Sequence, residues 1–410
     1  MSWPMKTLGE VCEINPRLGR DSGLMDDTLV SFVPMAALDE VSGLIRDKQQ
    51  RSFFDVKKGY TAFRNGDVLF AKITPCMENG KAAIAKDLIN GVGFGSTEFH
   101  VLRPKASVLP EWVFYFVRRE PFRWEAKRNF TGTAGQQRVP TTFLVNSRIP
   151  VPPIAEQRRI VDLLSRAEGI VRLRREAQAK AAEIIPALFL DMFGDPATNP
   201  KRWPVANLGD LLAEAPTLGT MAKPSTTPAG WLDLRVANIQ SGQLALHDKR
   251  WLDLEPDQVQ RFALRDGDIV LARAIGSLGH LGKAVIVHPI EPWTFDSHLM
   301  RLRVNNDVLI PEYFKAFLES SGGREEFLKH TRRSAVQFNI NGKEIRRIAL
   351  PLPPVTAQVR FLDRSSSVLA IVAQQGDAVE KAEAIFQAAL SRGFSGGLPA
   401  AAPIEEAAVA

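Results

Sequence analysis

Two short polar segments carry side chains suited to reading a chemical pattern rather than to breaking a bond. The first is Thr131-Gly132-Thr133-Ala134-Gly135-Gln136-Gln137-Arg138-Val139, and the second is Arg332-Arg333-Ser334-Ala335-Val336-Gln337-Phe338-Asn339-Ile340-Asn341. Amide and guanidinium groups make paired hydrogen bonds to base edges, Gln or Asn on adenine and Arg on guanine. Both segments are too polar for a core, so Gln136, Gln137, Arg138, Gln337, Asn339 and Asn341 are candidate base contacts.

Cations flank them at matched positions. Asn65-Gly66-Asp67-Val68-Leu69-Phe70-Ala71-Lys72-Ile73 and Asp266-Gly267-Asp268-Ile269-Val270-Leu271-Ala272-Arg273-Ala274 each read as a Gly-Asp turn feeding a buried strand that ends in a cation. A second strand then starts at Gly80-Lys81 or Gly282-Lys283, so each hairpin places one cation on either side of its loop. Lys72, Lys81, Arg273 and Lys283 are therefore candidate DNA contacts, weighed against ordinary strand-end charges. Asp296, Ser297 and His298 invite a hydrolase reading. Adjacent strand residues alternate faces, however, and the counterparts Ser96, Thr97 and Glu98 do not preserve the set. His298 is read as structural or as a polar group on the DNA side.

These groups are positioned by a chain made twice. Ile149-Pro150-Val151-Pro152-Pro153-Ile154-Ala155-Glu156-Gln157 returns as Leu350-Pro351-Leu352-Pro353-Pro354-Val355-Thr356-Ala357-Gln358, a shift of 201. Trp3-Pro4 with Leu8-Gly9-Glu10 returns as Trp203-Pro204 with Leu208-Gly209-Asp210, a shift of 200. Val33-Pro34-Met35-Ala36-Ala37-Leu38 and Leu234-Arg235-Val236-Ala237-Asn238-Ile239 read as a matching strand. Pro110-Glu111 and Pro311-Glu312 open helices with aromatic core positions, proline for its fixed angle and glutamate for the positive dipole end.

After each proline-rich phrase the apolar pattern predicts a helix of about 38 residues. The expected seam is Ile160, Leu163, Ala167, Ile170, Arg174, Ala177, Ala181, Ile184 and Leu188 in the first helix, and Phe361, Val368, Ile371, Ala378, Ala382, Ile385 and Ala389 in the second. Seams so narrow and Ala-rich predict that the two helices bury each other as an antiparallel coiled coil, each packing on its own domain being the plainer alternative. Pro186 should kink or end the first helix.

The fold expected is mixed α/β, of the α+β kind, in two tandem repeats, each a globular domain followed by a long helix. The boundaries are 1–150 for the first domain, 151–195 for its helix, 196–351 for linker and second domain, 352–394 for the second helix, and 395–410 for a disordered tail rich in Ala, Gly and Pro. With 410 residues and 45% hydrophobic content the chain can bury two cores. Its two cysteines, Cys12 and Cys76, have no metal or disulfide spacing, which points to a reducing compartment. No leader or membrane-length apolar run stands out, so the expected location is the cytoplasm. A net charge of +6 permits nucleic-acid binding without requiring it.

The twofold repeat, the Gly-Asp strand motif, the polar loop, the Pro-Pro-(Ile/Val)-x-x-Gln phrase and the long helix after each copy together resemble the specificity subunit of type I restriction-modification systems, from Trp3 to about Phe394. That resemblance implies two target recognition domains, each reading half of a split, asymmetric site on double-stranded DNA. It also implies paired helices that act as a spacer and dock methyltransferase subunits, with Glu156, Gln157 and Gln358 as candidate docking residues; the Glu-Gln signature is intact only in the first copy. A helix of about 38 residues is about 55 Å long, sufficient to hold two reading heads on major grooves about 34 Å apart. No cofactor, metal or catalytic residue is expected in this chain. S-adenosylmethionine, ATP and Mg are implied for partner subunits, with restriction-translocation subunits an optional third component.

Two other classes fit parts of the sequence. A stand-alone DNA methyltransferase would need a cofactor loop and a base-holding motif, yet Gly91-Val92-Gly93-Phe94-Gly95 runs toward another strand and no Asn-Pro-Pro-aromatic or Asp-Pro-Pro-aromatic segment occurs. Gly276, Gly279 and Gly282 lack the Gly-Lys-Ser/Thr ending of a phosphate-binding loop. A protein-only repeat scaffold is the third class, separable by its lack of salt-dependent DNA binding.

Overall fold

The computed structural model describes residues 3–19, 23–133, 136–240, 243–246, 248–333 and 337–398. It divides into two compact units, Met1–Glu176 with Asp377–Ala410, and Ala177–Gly376. The divisions fall inside the two long helices, Ile154–Phe193 and Val355–Ser395. Each unit therefore holds one domain, half of the helix that follows it and half of the other.

In the first unit an antiparallel sheet runs in the order Cys12–Ile14, Phe99–Pro104, Val68–Ala71, Ala82–Ile84. A second sheet runs Gln49–Ser52, Leu29–Val33, Val92–Gly95, Thr61–Arg64, and its central pair is parallel. The second unit repeats the plan with Thr217–Leu218, Leu299–Leu302, Ile269–Ala272, Ala284–Ile286, and with Trp251–Leu252, Trp231–Leu234, Trp293–Phe295, where the last two strands are again parallel. The short ties Met5–Thr7 with Arg148–Pro150 and Val205–Asn207 with Ala349–Pro351 close each domain at the proline-rich phrase.

The Gly-Asp turns feed buried strands as expected. Asp67 and Asp268 accept the backbone N–H of Arg64 and Arg265 at 2.7 Å, which closes each turn. Each also takes both arms of an arginine from the neighbouring strand, Arg103 at 2.8 Å and Arg303 at 2.7 Å. Gly66 and Gly267 have positive φ, the left-handed geometry that favours glycine.

Other local expectations are corrected. The Val33–Leu38 and Leu234–Ile239 segments are not strands: the strands end at Val33 and Leu234, and 3-10 turns follow at Met35–Ala37 and Val236–Asn238. Pro186 does not end the first helix, which continues to Phe193. Asp296–His298 form a turn between strands rather than a strand, because Asp296 accepts the His298 N–H at 2.8 Å. The second helix runs through Ser395, and Leu398 packs on the first unit's core. Residues 399–410, the rest of the expected disordered tail, lie outside the described residues.

The helices pack antiparallel within each unit. In the first, Ile160 and Leu164 share a core with Leu390 and Phe394, and Arg175 pairs with Glu383 at 2.6 Å. In the second, Phe189 and Phe193 pack on Phe361, with ring centroids 5.9 and 5.6 Å away. The buried row keeps Ile160, Ala181 and Phe361 of the expected seam and is otherwise shifted. Leu164, Val171 and Phe189 are buried, whereas Leu163, Ile170, Ile184, Ile371 and Ile385 are exposed. The far end of each helix docks on the other copy's aromatic position: Phe394 stacks on Trp112 at 4.2 Å, and Phe193, its counterpart at a shift of 201, meets Tyr313 at 4.8 Å.

Candidate nucleic-acid interface

In the first unit the strand Val68–Ala71 delivers Lys72 to the sheet end, where its N–H donates to the Glu98 carbonyl and its carbonyl accepts from Val139 N–H, each at 2.9 Å. Ile73 forms a bridge with Arg138, and Thr131 pairs with Arg138 as the polar loop folds back on itself. Lys81 lies across the hairpin, its carbonyl accepting from Ala71 N–H at 3.0 Å. Lys72, Lys81, Gln136, Gln137 and Arg138 are therefore collected at one end of the sheet. Gln136 is exposed, and Gln137 is half-buried with its carbonyl bonded to Thr74 N–H at 3.1 Å.

Arg138 does not offer a free fork to guanine. Its Nε and Nη2 donate to the two carboxylate oxygens of Glu98, each at 2.9 Å. Those bonds hold Glu98 below the usual carboxylate range and make Arg138 an anchor of the loop. His100, on the strand Phe99–Pro104 that follows Glu98, is buried and donates to or accepts from Asn15; burial pushes its imidazole down, with Lys72 adding in the same direction.

The second unit builds the same backbone with different side chains. Arg273 N–H donates to the His298 carbonyl at 2.9 Å, the equivalent of Lys72 with Glu98. Ala274 pairs with Asn339 where Ile73 meets Arg138. Here the three expected residues Arg273, His298 and Gln337 open on one cleft of about 730 Å³. Its other walls include Thr220, Asp257, Gln258 and Arg261. Lys283 sits on the hairpin outside that lining, with Ala272 N–H donating to its carbonyl at 3.0 Å. Asn341 has a structural role: its Oδ1 accepts from Lys343 and Glu344 N–H at 2.9 Å and caps the helix Gly342–Ile345.

Sequence reading missed the wall helix Pro256–Phe262, which supplies Asp257, Gln258 and Arg261. Its Pro256-Asp257 start is the same first-turn signal that revealed Pro110-Glu111. It also missed the acid and base behind the cleft. Asp233, wholly buried, binds Arg250 through Nε at 2.6 Å, and Arg250 reaches Asp296 at 3.4 Å. Burial pushes the Asp233 carboxyl up to about 6 against the pull of Arg250.

The docking expectation for the two glutamines is corrected. Gln157 is 0% exposed; its Oε1 accepts from Leu109 N–H at 2.9 Å and its Nε2 donates to the carbonyls of Ser107 at 3.0 Å and Pro152 at 2.9 Å. Gln358 is 0% exposed and makes the same set with Ile310 N–H, Val308 and Pro353 at 2.8, 3.0 and 2.9 Å. These amides clamp each helix start to its domain and have no face left for a partner. Glu156 remains partly exposed and is paired with Arg159 at 2.7 Å along the helix. Apolar side chains stand exposed on the helices instead: Leu163, Ile170, Leu173 and Ile385 in the first unit, Ile184, Val359, Leu369 and Ile371 in the second. No helix among the described residues is long and apolar enough to cross a membrane.

The two repeats carry polar loops on equivalent sheet ends, and comparison with known proteins places this arrangement beside a described family. Residues 2–181 match the family described as type I restriction modification DNA specificity domain. The specificity subunit of the type I restriction enzyme EcoAI from Escherichia coli is 41% identical over 160 residues, which cover 39% of this chain and 27% of that subunit. The EcoKI specificity subunit from Escherichia coli strain K12 is 26% identical over 319 residues, 73% of this chain and 68% of that one. A solved chain from work on complex assembly and conformational transition of the type I R-M system shares the fold, with a TM-score of 0.59 at 21% identity over 97% of this chain and 98% of that chain. Over these spans the chain is similar to type I restriction enzyme specificity subunits, and its fold is mixed α/β.

Proposed function

We propose that this chain is the non-catalytic, sequence-specific DNA-binding subunit of a type I restriction-modification complex. Each domain reads one half of a bipartite, asymmetric target. The observation that carries the reading is the pair of equivalent sheet ends with unlike side chains, Lys72, Glu98 and Arg138 in one against Arg273, His298 and Asn339 in the other. Equivalent backbones present both sets to the same kind of surface, while unlike side chains prefer different bases.

Lys72, Lys81, Arg273 and Lys283 would supply phosphate contacts, and Gln136, Gln137, Gln337, Asn339 and His298 the groups nearest the base edges. Arg138 and Asn341 would act by fixing the loops. The exposed apolar rows of the helices would dock methyltransferase subunits, which would bring S-adenosylmethionine chemistry to the site; nuclease-translocase subunits would bring ATP and Mg. A stand-alone methyltransferase is not favoured, because Val92–Gly95 is a buried strand packed on Phe63 and Val33 rather than a cofactor loop.

Exchanging residues 200–351 for the second domain of another specificity subunit tests the division of labour. The expected hybrid keeps the first half-site and acquires a new second one. A changed first half-site would contradict it.

A further inference from the structure

We propose that Arg123 and Arg324 are positioning residues for the two DNA-reading heads: each pins, from a neighbouring helix, the hairpin loop that carries its unit's flanking cations. This rests on the DNA-binding reading and deepens it by naming what holds each reading surface in shape.

The same device occurs twice. In the first unit the loop between Lys72 and Lys81 is stitched to the polar loop at its start, where Thr74 N–H donates to the Gln137 carbonyl at 3.1 Å. Its far side is held by Arg123 of the helix Glu120–Arg128, whose Nη1 donates to the Glu78 carbonyl at 2.5 Å. In the second unit Ile275 pairs with Phe338 at the start of the loop between Arg273 and Lys283. Arg324 of the helix Ser321–Lys329 then donates through Nη2 to the Leu278 carbonyl at 2.5 Å and through Nη1 to the Leu281 carbonyl. Arg123 and Arg324 are separated by 201 residues, the shift of the repeat itself. Each loop passes its arginine at a glycine of positive φ: a Cβ at Gly80 would lie 3.1 Å from Arg123 Nη1, and one at Gly282 3.0 Å from Arg324 Nη1.

Among the described residues neither arginine is paired with a carboxylate, and burial pushes both guanidinium groups down from their ordinary range. A charge partly withdrawn from water without a counter-charge destabilises the fold, whereas rigid donors in one plane are well suited to fixing a loop's carbonyls. Phe122 and Ala126 on the first helix and Phe327 on the second are buried, so each arginine works from an element anchored in its own core. Glu78 is half-buried and Leu278 exposed, so loss of the pin should free a surface loop rather than open that core. The first loop has a second tie: the Thr74 hydroxyl donates to Glu78 at 2.5 Å, and Lys127 pairs with the same carboxylate. The second loop is one residue longer, since the shift is 201 at Arg273 and 202 at Lys283, and its residues 276–280 are exposed. Arg324 therefore carries more of the task there.

The test uses the chain in complex with methyltransferase subunits and duplexes that carry its mapped target, intact or with a single base pair changed in one half-site. Discrimination is the ratio of the two dissociation constants, about five-fold to a hundred-fold at a position that is read. Arg123→Gln should lower discrimination several-fold in the first half-site alone, and Arg324→Gln in the second alone. Arg123→Lys and Arg324→Lys, which keep a donor for one carbonyl, should restore part of it. Without DNA, amide exchange at Gly80 should rise in Arg123→Gln and at Gly282 in Arg324→Gln, more in the second because Glu78 ties the first loop again. Discrimination kept in full by both Gln variants, or lost equally in both half-sites, would overturn the positioning role, as would unchanged exchange at both glycines. A wild-type complex that binds its target no better than other DNA would sink the reading beneath the proposal, and the proposal with it.

Discussion

Replacing Gln157 with alanine removes one side chain and three hydrogen bonds to the backbone, one to the buried Pro152 carbonyl and two to the less buried Leu109 N–H and Ser107 carbonyl. Leu109 N–H loses the Gln157 acceptor, and the Ser107 and Pro152 carbonyls lose a donor. A buried group left unsatisfied costs about 1–3 kcal/mol, with carbonyls at the low end because a second lone pair can find other company. With the Ser107 carbonyl able to turn to water, the loss from the other two groups should be about 2–3 kcal/mol. At about 2–4 °C per kcal/mol for a unit of this size, its thermal transition should fall by roughly 4–12 °C. Calorimetry reads the transition, and hydrogen exchange reads the Leu109 amide directly. Gln358→Ala should do the same to the second unit, with Ile310 as the exposed amide. If both variants keep wild-type transitions and protected amides yet no longer bind a methyltransferase subunit, the glutamines are docking residues and the clamp is refuted.

Three further outcomes are expected. Phe193→Ala and Phe394→Ala should each cost about 3–5 kcal/mol, because each leaves a cavity against a buried aromatic partner; equal losses in denaturant unfolding would bear out the exchanged helix ends, and a loss under 1 kcal/mol would count against them. Asp67→Asn and Asp268→Asn should each cost about 1.5–3 kcal/mol in the same assay by removing the charged fork on Arg103 and Arg303, with the smaller loss at Asp268 because Arg303 also holds Glu214 at 2.6 Å. Glu98 has a carboxyl held below its ordinary value of 4.5 by Arg138, so the anchoring of the polar loop is complete above that pH and is lost as pH falls through the folded value; amide exchange at Thr131 and Arg138, corrected for intrinsic rate, should rise in that window in the wild type and be raised at all pH values in Glu98→Gln.

The features legible from sequence are those whose cause is local. The Gly-Asp turns, the Pro-Glu helix starts and the duplicated proline phrases announce themselves because backbone geometry restricts which residues can stand there. The helix seam is legible at Ile160, Ala181 and Phe361 and shifts by one residue elsewhere, because these helices carry two apolar rows. Leu163 and Leu164, or Ile371 and Val372, are equally apolar, and only the packed structure decides which member is buried. The hairpins bring candidate residues such as Lys72 and Arg273 to two sheet ends, yet the surroundings of each depend on partners far along the chain. Arg138 meets Glu98, Gln157 meets Ser107 and Leu109, and Arg250 links Asp233 to Asp296. No periodicity reports such pairs, since the sequence separation is bridged only by the fold.

The most direct measurement is to co-express this chain with methyltransferase subunits in a methylation-free host and map modified bases across the genome. The expected result is a gapped, asymmetric motif that appears only when both chains are present. Modification by this chain alone, or a continuous motif with no gap, would contradict a two-headed, non-catalytic reader.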